Sequence, residues 1–162
     1  MMKRRVDLFL EWTLAILLII MVVDVFWGVF TRYVLESQSS WTDELARFLL
    51  IWLSILGAAY ASGKNLHIAI DLLPQYLNER NKNILDIIII VVILLFVISV
   101  FLIGGLRYVY ISFAFGQTSP ALDLPIGFVY LVLPLSGLFI LYYKISDLIT
   151  TIRNLKVIKN GS

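Results

Sequence analysis

The sequence predicts an all-α membrane protein whose four transmembrane helices leave both termini in the cytoplasm. The first observation is composition: the 162 residues are 60% hydrophobic and 15% charged, whereas soluble domains carry about 25% charged residues. The second is that four apolar runs are each long enough to cross a bilayer, which takes about 20 residues. The third is that most lysines and arginines fall on one side of these runs. Such a chain has too few polar side chains to cover a water-facing surface, which excludes an ordinary soluble enzyme.

The four apolar runs cover about residues 8–35, 41–62, 84–115 and 125–149. They are apolar on all sides and do not alternate, which favours helices over strands. Because the remaining residues suffice only for short connectors, we predict that residues 1–162 form a single four-helix membrane domain. Basic residues 3–5 precede the first run, as in a signal peptide, but the run is far longer than the roughly 7–15 apolar residues of such a signal. We therefore expect an uncleaved first helix.

The distribution of basic residues predicts the orientation. Of the 13 lysines and arginines, ten lie on one side of the spans, and the other side holds only Arg32, Arg47 and Arg107, all within predicted helices. Cytoplasmic loops carry such an excess, so the connectors near residues 36–40 and 116–124 should face outward. The basic residues follow the membrane edges without a nucleic-acid-binding motif, which indicates membrane lipids and not nucleic acid as their partners.

Several helix ends are marked by local signals. Ser40 and Asp43 have the spacing of a capping box, so the second helix should begin at Ser40. Pro125 suits the first turn of the fourth helix, and Pro134 should kink that helix. Residues 66–83 alternate apolar and polar side chains, which predicts a short interfacial segment on the cytoplasmic membrane surface between helices 2 and 3.

The residue inventory excludes several kinds of site. The chain has no cysteine and one histidine, His67, so disulfides, thiolate metal sites and a bis-histidine haem within the chain are excluded. His67 and Asp71 lie four residues apart, but two ligands are too few for a zinc site, and a hydrogen-bonded corner is the simpler interpretation. Phosphate-loop, hydrolase and deaminase signatures are absent. We predict no catalytic residues, cofactor or metal.

Charged residues inside the spans need partners, because an unpaired charge in a bilayer is costly. Asp24 and Arg107 should lie at similar depth in the parallel first and third helices, which predicts an ion pair between them. The functional alternative for Asp24 is an ion-coupling carboxylate, as in proton-driven pumps. Arg32 and Glu44 are matched in depth across the antiparallel first and second helices, which predicts a second ion pair.

The beginning of the second helix also carries Asp43 and Arg47 beside Glu44. Carboxylates favour the positive end of a helix, so these charges form either a capped helix end or a contact site for a partner subunit. Trp41 should anchor the membrane interface, while Trp52 lies deeper and should pack against protein or lipid. Small residues at four-residue spacing, Gly57 among them, permit close helix packing.

The order of these features resembles the small membrane subunit of TRAP (tripartite ATP-independent periplasmic) transporters. The resemblance rests on the run Ser-Trp-Thr-Asp-Glu-Leu-Ala-Arg at residues 40–47, on Trp52, Gly57 and Ala58, and on His-Ile-Ala-Ile-Asp at residues 67–71. It implies a bacterial inner-membrane protein that joins a large TRAP membrane subunit and a periplasmic substrate-binding protein. The large subunit would hold the sodium and substrate sites, and the substrate would be an organic acid such as a C4-dicarboxylate or a sialic acid. The small subunit would be a non-catalytic scaffold that assists docking of the binding protein.

Two other classes of membrane protein remain open at this stage. A small proton-coupled multidrug exporter would use an acid in the first span, for which Glu11 and Asp24 are candidates. An anchor subunit of a respiratory complex would ligate haem, usually with paired histidines, and only His67 is present. Co-purification with a large membrane protein would favour the TRAP alternative.

Overall fold

The computed structural model describes residues 2–37, 39–64 and 79–160, and these are almost entirely helical. The helices are α1 (Met2–Tyr33), α2 (Ser40–Gly63), α3 (Glu79–Phe96), a π-helical segment (Val97–Gly104), α4 (Gly105–Ala114), α5 (Ile126–Tyr130) and α6 (Val132–Asn160). The segments from α3 to α4 follow one another without a break and form the third span. α5 and α6 form the fourth span.

Four helices are long and apolar enough to cross a membrane: Lys3–Tyr33, Ser40–Gly63, Asn81–Ala114 and Ile126–Arg153. The prediction of an all-α protein with four spans is therefore confirmed. The interfacial segment predicted for residues 66–83 falls mostly outside the described residues, and the sidedness of the termini stays a prediction.

The spans pack around α6, which is the most buried of them. One core cluster joins α1, α2 and α6 through Leu10, Leu56, Val132 and Tyr143. A second cluster joins α2, the third span and α6 through Ala59, Val97 and Ile140. The first cluster contains no residue of the third span, and the second contains none of α1. α1 and the third span therefore lie on opposite flanks of α2 and α6.

Close helix contacts depend on particular glycines. A Cβ atom at Gly63 would lie 2.6 Å from the ring of Tyr143, so this glycine lets α2 and α6 approach each other. A Cβ at Gly127 would meet the ring of Phe113 at 2.6 Å, which brings α5 against α4. A Cβ at Gly57 would meet nothing within 4 Å. Packing against the residues that the structure describes therefore does not require the small size of Gly57.

The helix boundaries refine three predictions. α2 begins at Ser40, as predicted, but its N-cap residue is Ser39, which makes no side-chain capping bond. Pro125 caps α5 and does not lie in its first turn. The predicted kink at Pro134 takes the form of an interruption at Leu131, between α5 and α6. Proline has no N–H to donate to the preceding turn, which explains a break at this point.

Candidate functional site at the two ends of the bundle

Glu44 connects α2 to the loop that joins the third and fourth spans (residues 115–125, here the α4–α5 loop). Its Oε2 atom accepts hydrogen bonds from the backbone N–H groups of Ala121 and Leu122, both at 2.9 Å. Hydrogen bonds to an ionised acceptor are roughly twice as strong as neutral ones. Because the two donors belong to successive residues, one carboxylate oxygen fixes the middle of the loop against the beginning of α2.

The α4–α5 loop is also held by its own hydrogen bonds. The buried Ser119 donates its N–H to the carbonyl of Leu124 at 2.9 Å, and its hydroxyl accepts the N–H of Leu124 at 3.3 Å. Gly116 and Asp123 have φ angles of +58° and +52°, in the left-handed region that tight turns use. These bonds and turns define the shape of the loop without any contribution from Glu44. The Glu44 carboxylate then fixes the position of the loop relative to α2.

The predicted ion pair between Arg32 and Glu44 is wrong. Among the described residues the two side chains form no ion pair, and Glu44 binds the loop backbone instead. Arg32 lines a cavity of about 210 Å³ between α1 and α2, with Gly28 and Thr42 among its neighbours. Glu44 lines a different cavity of about 370 Å³. Equal depth did not bring the two charges together, because they lie on different sides of the first turn of α2.

The 370 Å³ cavity collects the charged residues of the motif. Its walls are formed by Ser40, Asp43, Glu44, Arg47 and Ala121. Asp43 also lines the cavity between α1 and α2. Asp43 and Arg47 are exposed there, whereas Glu44 is half-buried beneath the loop. The arrangement presents charges of both signs beside a loop of fixed shape, which suits recognition of a polar partner surface.

The predicted ion pair between Asp24 and Arg107 is also wrong. Asp24 is only 5% exposed, and both of its carboxylate oxygens lack a hydrogen-bond partner in the described part of the chain. Arg107 is exposed on α4. Because α1 and the third span lie on opposite flanks of the bundle, similar depth cannot bring these groups into contact.

The remaining predicted residues have simpler surroundings. Trp41 is 40% exposed at the beginning of α2, where an interfacial anchor should lie. Trp52 packs against the first core cluster, on the side of Leu56. His67 and Asp71 lie outside the described residues.

The opposite end of the bundle holds a polar network that the sequence analysis missed. Asp7 accepts hydrogen bonds from the Tyr143 hydroxyl at 2.5 Å and from the Lys64 ammonium at 3.1 Å. Glu11 accepts one from the Tyr60 hydroxyl at 2.6 Å and lies 3.6 Å from the Lys64 ammonium. These five residues, here called the Lys64 cluster, join α1, the end of α2 and α6.

The Lys64 cluster keeps its cation charged. The hydrogen bond to Asp7 is the main cause that raises the pKa of Lys64 above its ordinary value, and the nearby charge of Glu11 acts in the same direction. Because the folded-state pKa is raised, this contribution to stability is present at neutral pH and is lost only as the pH rises beyond the ordinary lysine range. Glu11 accepts the Tyr60 hydroxyl and lies beside the Lys64 ammonium, which favours a structural role for this acid over proton coupling.

A sequence signal for this cluster exists. Asp7 and Glu11 are spaced four residues apart on α1, and Tyr60 and Lys64 have the same spacing on antiparallel α2. Residues four apart share a helix face, so the two acids can face Tyr60 and Lys64 where α1 packs against α2. A further ion pair, Lys3 with Asp147 at 3.1 Å, ties α1 to α6 at the same end.

Comparison with known proteins identifies the family. The model of the family described as "Tripartite ATP-independent periplasmic transporters, DctQ component" matches residues 20–154. The chain belongs to the DctQ family. With its four apolar helices it is a multi-pass protein of the bacterial inner membrane. The Glu44 contact with the loop therefore lies inside the matched region of a DctQ protein.

Individual relatives agree with the family. A putative TRAP transporter small permease protein of Haemophilus influenzae is 31% identical over 155 residues, which are 93% of this chain and 94% of that protein. The isethionate TRAP transporter permease protein DctMQ of Oleidesulfovibrio alaskensis is 38% identical over 100 residues, which are 62% of this chain but only 16% of that longer protein. The C4-dicarboxylate TRAP transporter small permease protein DctQ of Rhodobacter capsulatus is 29% identical over 97 residues, 60% of this chain and 42% of that protein.

Proposed function

We propose that this DctQ chain is the non-catalytic small membrane subunit of a sodium-driven TRAP transporter that takes up organic acids. In this proposal it scaffolds the large membrane subunit and assists docking of the periplasmic substrate-binding protein. The observation that carries the proposal is the match to one part of the DctMQ permease of Oleidesulfovibrio, in which a DctQ-like segment belongs to a much longer permease chain. We infer that this chain likewise works together with a large permease component, which corresponds to the part of the longer chain that it does not match.

The surface of the bundle supports a scaffold. α1 buries little of its apolar surface and leaves large side chains exposed along its whole length, such as Phe9, Ile19 and Phe26. The third span is exposed in the same way. A helix that packs on one side only and is apolar all round has further surface to offer to lipid or to another membrane helix. Such a bundle can enlarge the membrane-embedded area of a partner.

The Glu44 end of the bundle suits the docking role. With the orientation that the basic residues predict, the α4–α5 loop and the exposed charges of Asp43 and Arg47 face the periplasm. Charges at the rim of a contact mainly steer association and select partners. We therefore assign the binding-protein contact to this end, and the cytoplasmic face to the Lys64 cluster.

In this proposal the large subunit and the binding protein, and not this chain, determine which substrate is taken up. The names of the relatives include a C4-dicarboxylate and isethionate, which are small organic anions. In this proposal the sodium ions and the substrate bind to the large subunit, so the small chain needs no cofactor of its own.

Uptake into proteoliposomes tests the proposal. Liposomes that contain this chain alone should accumulate no C4-dicarboxylate, with or without a sodium gradient. Liposomes with this chain, the large subunit and the binding protein should accumulate it only when sodium is higher outside. Accumulation by the small chain alone would overturn the scaffold role. Equal uptake without the small chain would overturn it as well.

A proton-coupled multidrug exporter remains a second candidate because of Asp24. This acid is buried and lacks a hydrogen-bond partner among the described residues, as a proton-coupling carboxylate can be. Proton-driven export of a cationic dye by liposomes holding only this chain, abolished by Asp24→Asn, would establish that function. The TRAP proposal expects no export.

A further inference from the structure

Arg107 is a cation within the third apolar span for which the described part of the chain supplies no partner. It is exposed on α4, and the described residues include no hydrogen-bond acceptor or ion-pair partner for it. It lies seven residues before the end of α4 at Ala114, which is about 10 Å along a helix.

Neighbouring contacts support this depth. The ring of Tyr108 packs on the ring of Tyr130 with 4.5 Å between centroids. A Cβ at Gly105 would lie 3.1 Å from Cδ of Pro134. Tyr130 and Pro134 lie four and eight residues inside the fourth span, which begins at Ile126. Both spans thus place Arg107 well below their ends.

None of the described acids forms an ion pair with Arg107, although Glu44 and Asp123 lie towards the same end of the bundle, where Glu44 binds the loop backbone instead. Asp24 lies on α1, on the opposite flank of the bundle. Asp86 lies 21 residues earlier on the same span, which is about 30 Å away along a helix. An intramembrane charge normally pairs with another group or faces a polar cavity. A partner from another molecule would satisfy this charge.

The surface around Arg107 resembles the centre of a protein interface. Ile103 and Leu106 beside it are 63% and 55% exposed, and Tyr110, one turn further, is 73% exposed. Arginine and tyrosine are among the side chains that dominate binding energy at interfaces. The exposed apolar and aromatic side chains could pack against a partner helix, and the guanidinium among them could pair with an acid of that helix.

We propose that this face of α4 (Ile103, Leu106, Arg107 and Tyr110, here the Arg107 face) docks on the large membrane subunit, where the guanidinium pairs with a carboxylate of an intramembrane helix. The inference rests on the proposed function and assigns a surface to it. A lipid phosphate is the other source of negative charge, but two helical turns separate Arg107 from the end of α4. The planar fork of arginine also matches a carboxylate with two parallel hydrogen bonds.

Assembly of the complex tests the ion pair. Arg107→Leu should reduce recovery of the large subunit with the tagged small chain by about tenfold, because it removes a polar contact between membrane helices. Arg107→Lys should recover only part of it, because an ammonium lacks the fork geometry. Arg153→Leu is the matched control: it removes an exposed arginine near the other end of the fourth span and should leave recovery unchanged. Gel filtration and helical circular dichroism of each small chain alone establish that the variants fold.

Cross-linking locates the surface independently of charge. Because the chain has no cysteine, Ile103→Cys and Tyr110→Cys each allow one photoreactive label on the Arg107 face. Both should form adducts with the large subunit in membranes. Val23→Cys, exposed on α1 on the other flank, provides the comparison. Adducts from position 23 but not from 103 or 110 would overturn the inference and assign docking to α1.

The outcomes separate the inference from the function. If the parent chain recovers no large subunit, the proposed function fails. If the parent and Arg107→Leu recover it equally, and the labels at 103 and 110 react only with lipid, the function stands and Arg107 is a lipid contact. Loss of recovery in Arg107→Leu together with protein adducts from both positions supports the Arg107 face.

Discussion

At the scale of single residues, Glu44 shows how one carboxylate can organise a loop. Its Oε2 atom accepts two successive backbone N–H groups at 2.9 Å, so its removal leaves both donors of a compact turn without that acceptor. The energy at stake is moderate, because one donor lies in an exposed part of the loop. Hydrogen bonds to charged groups contribute about 1.5–3 kcal/mol when well formed, and solvent access reduces this.

Glu44→Ala should accelerate amide hydrogen exchange at Ala121 and Leu122 by about tenfold, since a loss of about 1.4 kcal/mol corresponds to that factor. Glu44→Gln should lie between Ala and the parent, because its amide oxygen still accepts but carries no charge. Exchange in detergent, followed by mass spectrometry, measures this. Glu36→Gln, which removes an exposed acid near the same end, should change nothing in the loop. Unaltered exchange in Glu44→Ala would contradict the role of Glu44.

The absence of an Arg32–Glu44 pair can be tested by a double-mutant cycle. Because the two side chains line different cavities, the effects of Arg32→Ala and Glu44→Ala on unfolding free energy should add within about 0.5 kcal/mol. A coupling energy well above that value would restore the ion pair.

At the scale of helices, α2 and α6 approach each other closely where Gly63 meets Tyr143. The Tyr143 ring is fully buried, and its hydroxyl is held by Asp7, so the ring cannot easily move away from an added methyl group. Gly57, on the same helix, faces open space. Gly63 is therefore needed for the close packing of α2 on α6, whereas Gly57 is not, although the sequence alone does not distinguish these two small residues.

Gly63→Ala should lower the thermal stability of the isolated chain, at a cost of about 1–3 kcal/mol typical of overpacking. Gly57→Ala should be neutral or stabilising, because alanine is the better helix former by up to about 1 kcal/mol. Thermal unfolding in detergent compares the two. Adding Tyr143→Leu to Gly63→Ala should remove the steric part of the loss. Equal effects of Gly57→Ala and Gly63→Ala would show that the close approach is not decisive.

The sequence predicted the helices better than their contacts, for a physical reason. Apolar runs fix where a span lies and how deep each residue sits, so the four spans followed directly from composition. Depth is only one coordinate, and the direction in which a side chain points around the bundle depends on which helices pack together. Asp24 and Arg107 share a depth but lie on opposite flanks. The paired spacing of Asp7 and Glu11 with Tyr60 and Lys64 did carry that information.

At the scale of the whole molecule, the two ends of the bundle differ in chemistry. The Lys64 end joins α1, α2 and α6 through ion pairs and tyrosine hydroxyls, and it lies on the side of the basic termini. The Glu44 end carries a structured loop with exposed charges. Four spans place both termini on one side, so a single measurement of sidedness orients both ends.

Reporter fusions should establish that sidedness. A periplasm-dependent reporter fused after Gln117, in the α4–α5 loop, should be active, whereas fusions after Asn81 or Gly161 should be inactive. The physical reason is the excess of lysine and arginine in the connectors on the Lys64 side, which are retained in the cytoplasm. A cytoplasm-dependent reporter at the same three positions provides the control and should give the opposite pattern. If the reporter after Gln117 were active only in the cytoplasm, the Glu44 end could not meet a periplasmic binding protein, and the docking role would have to be abandoned.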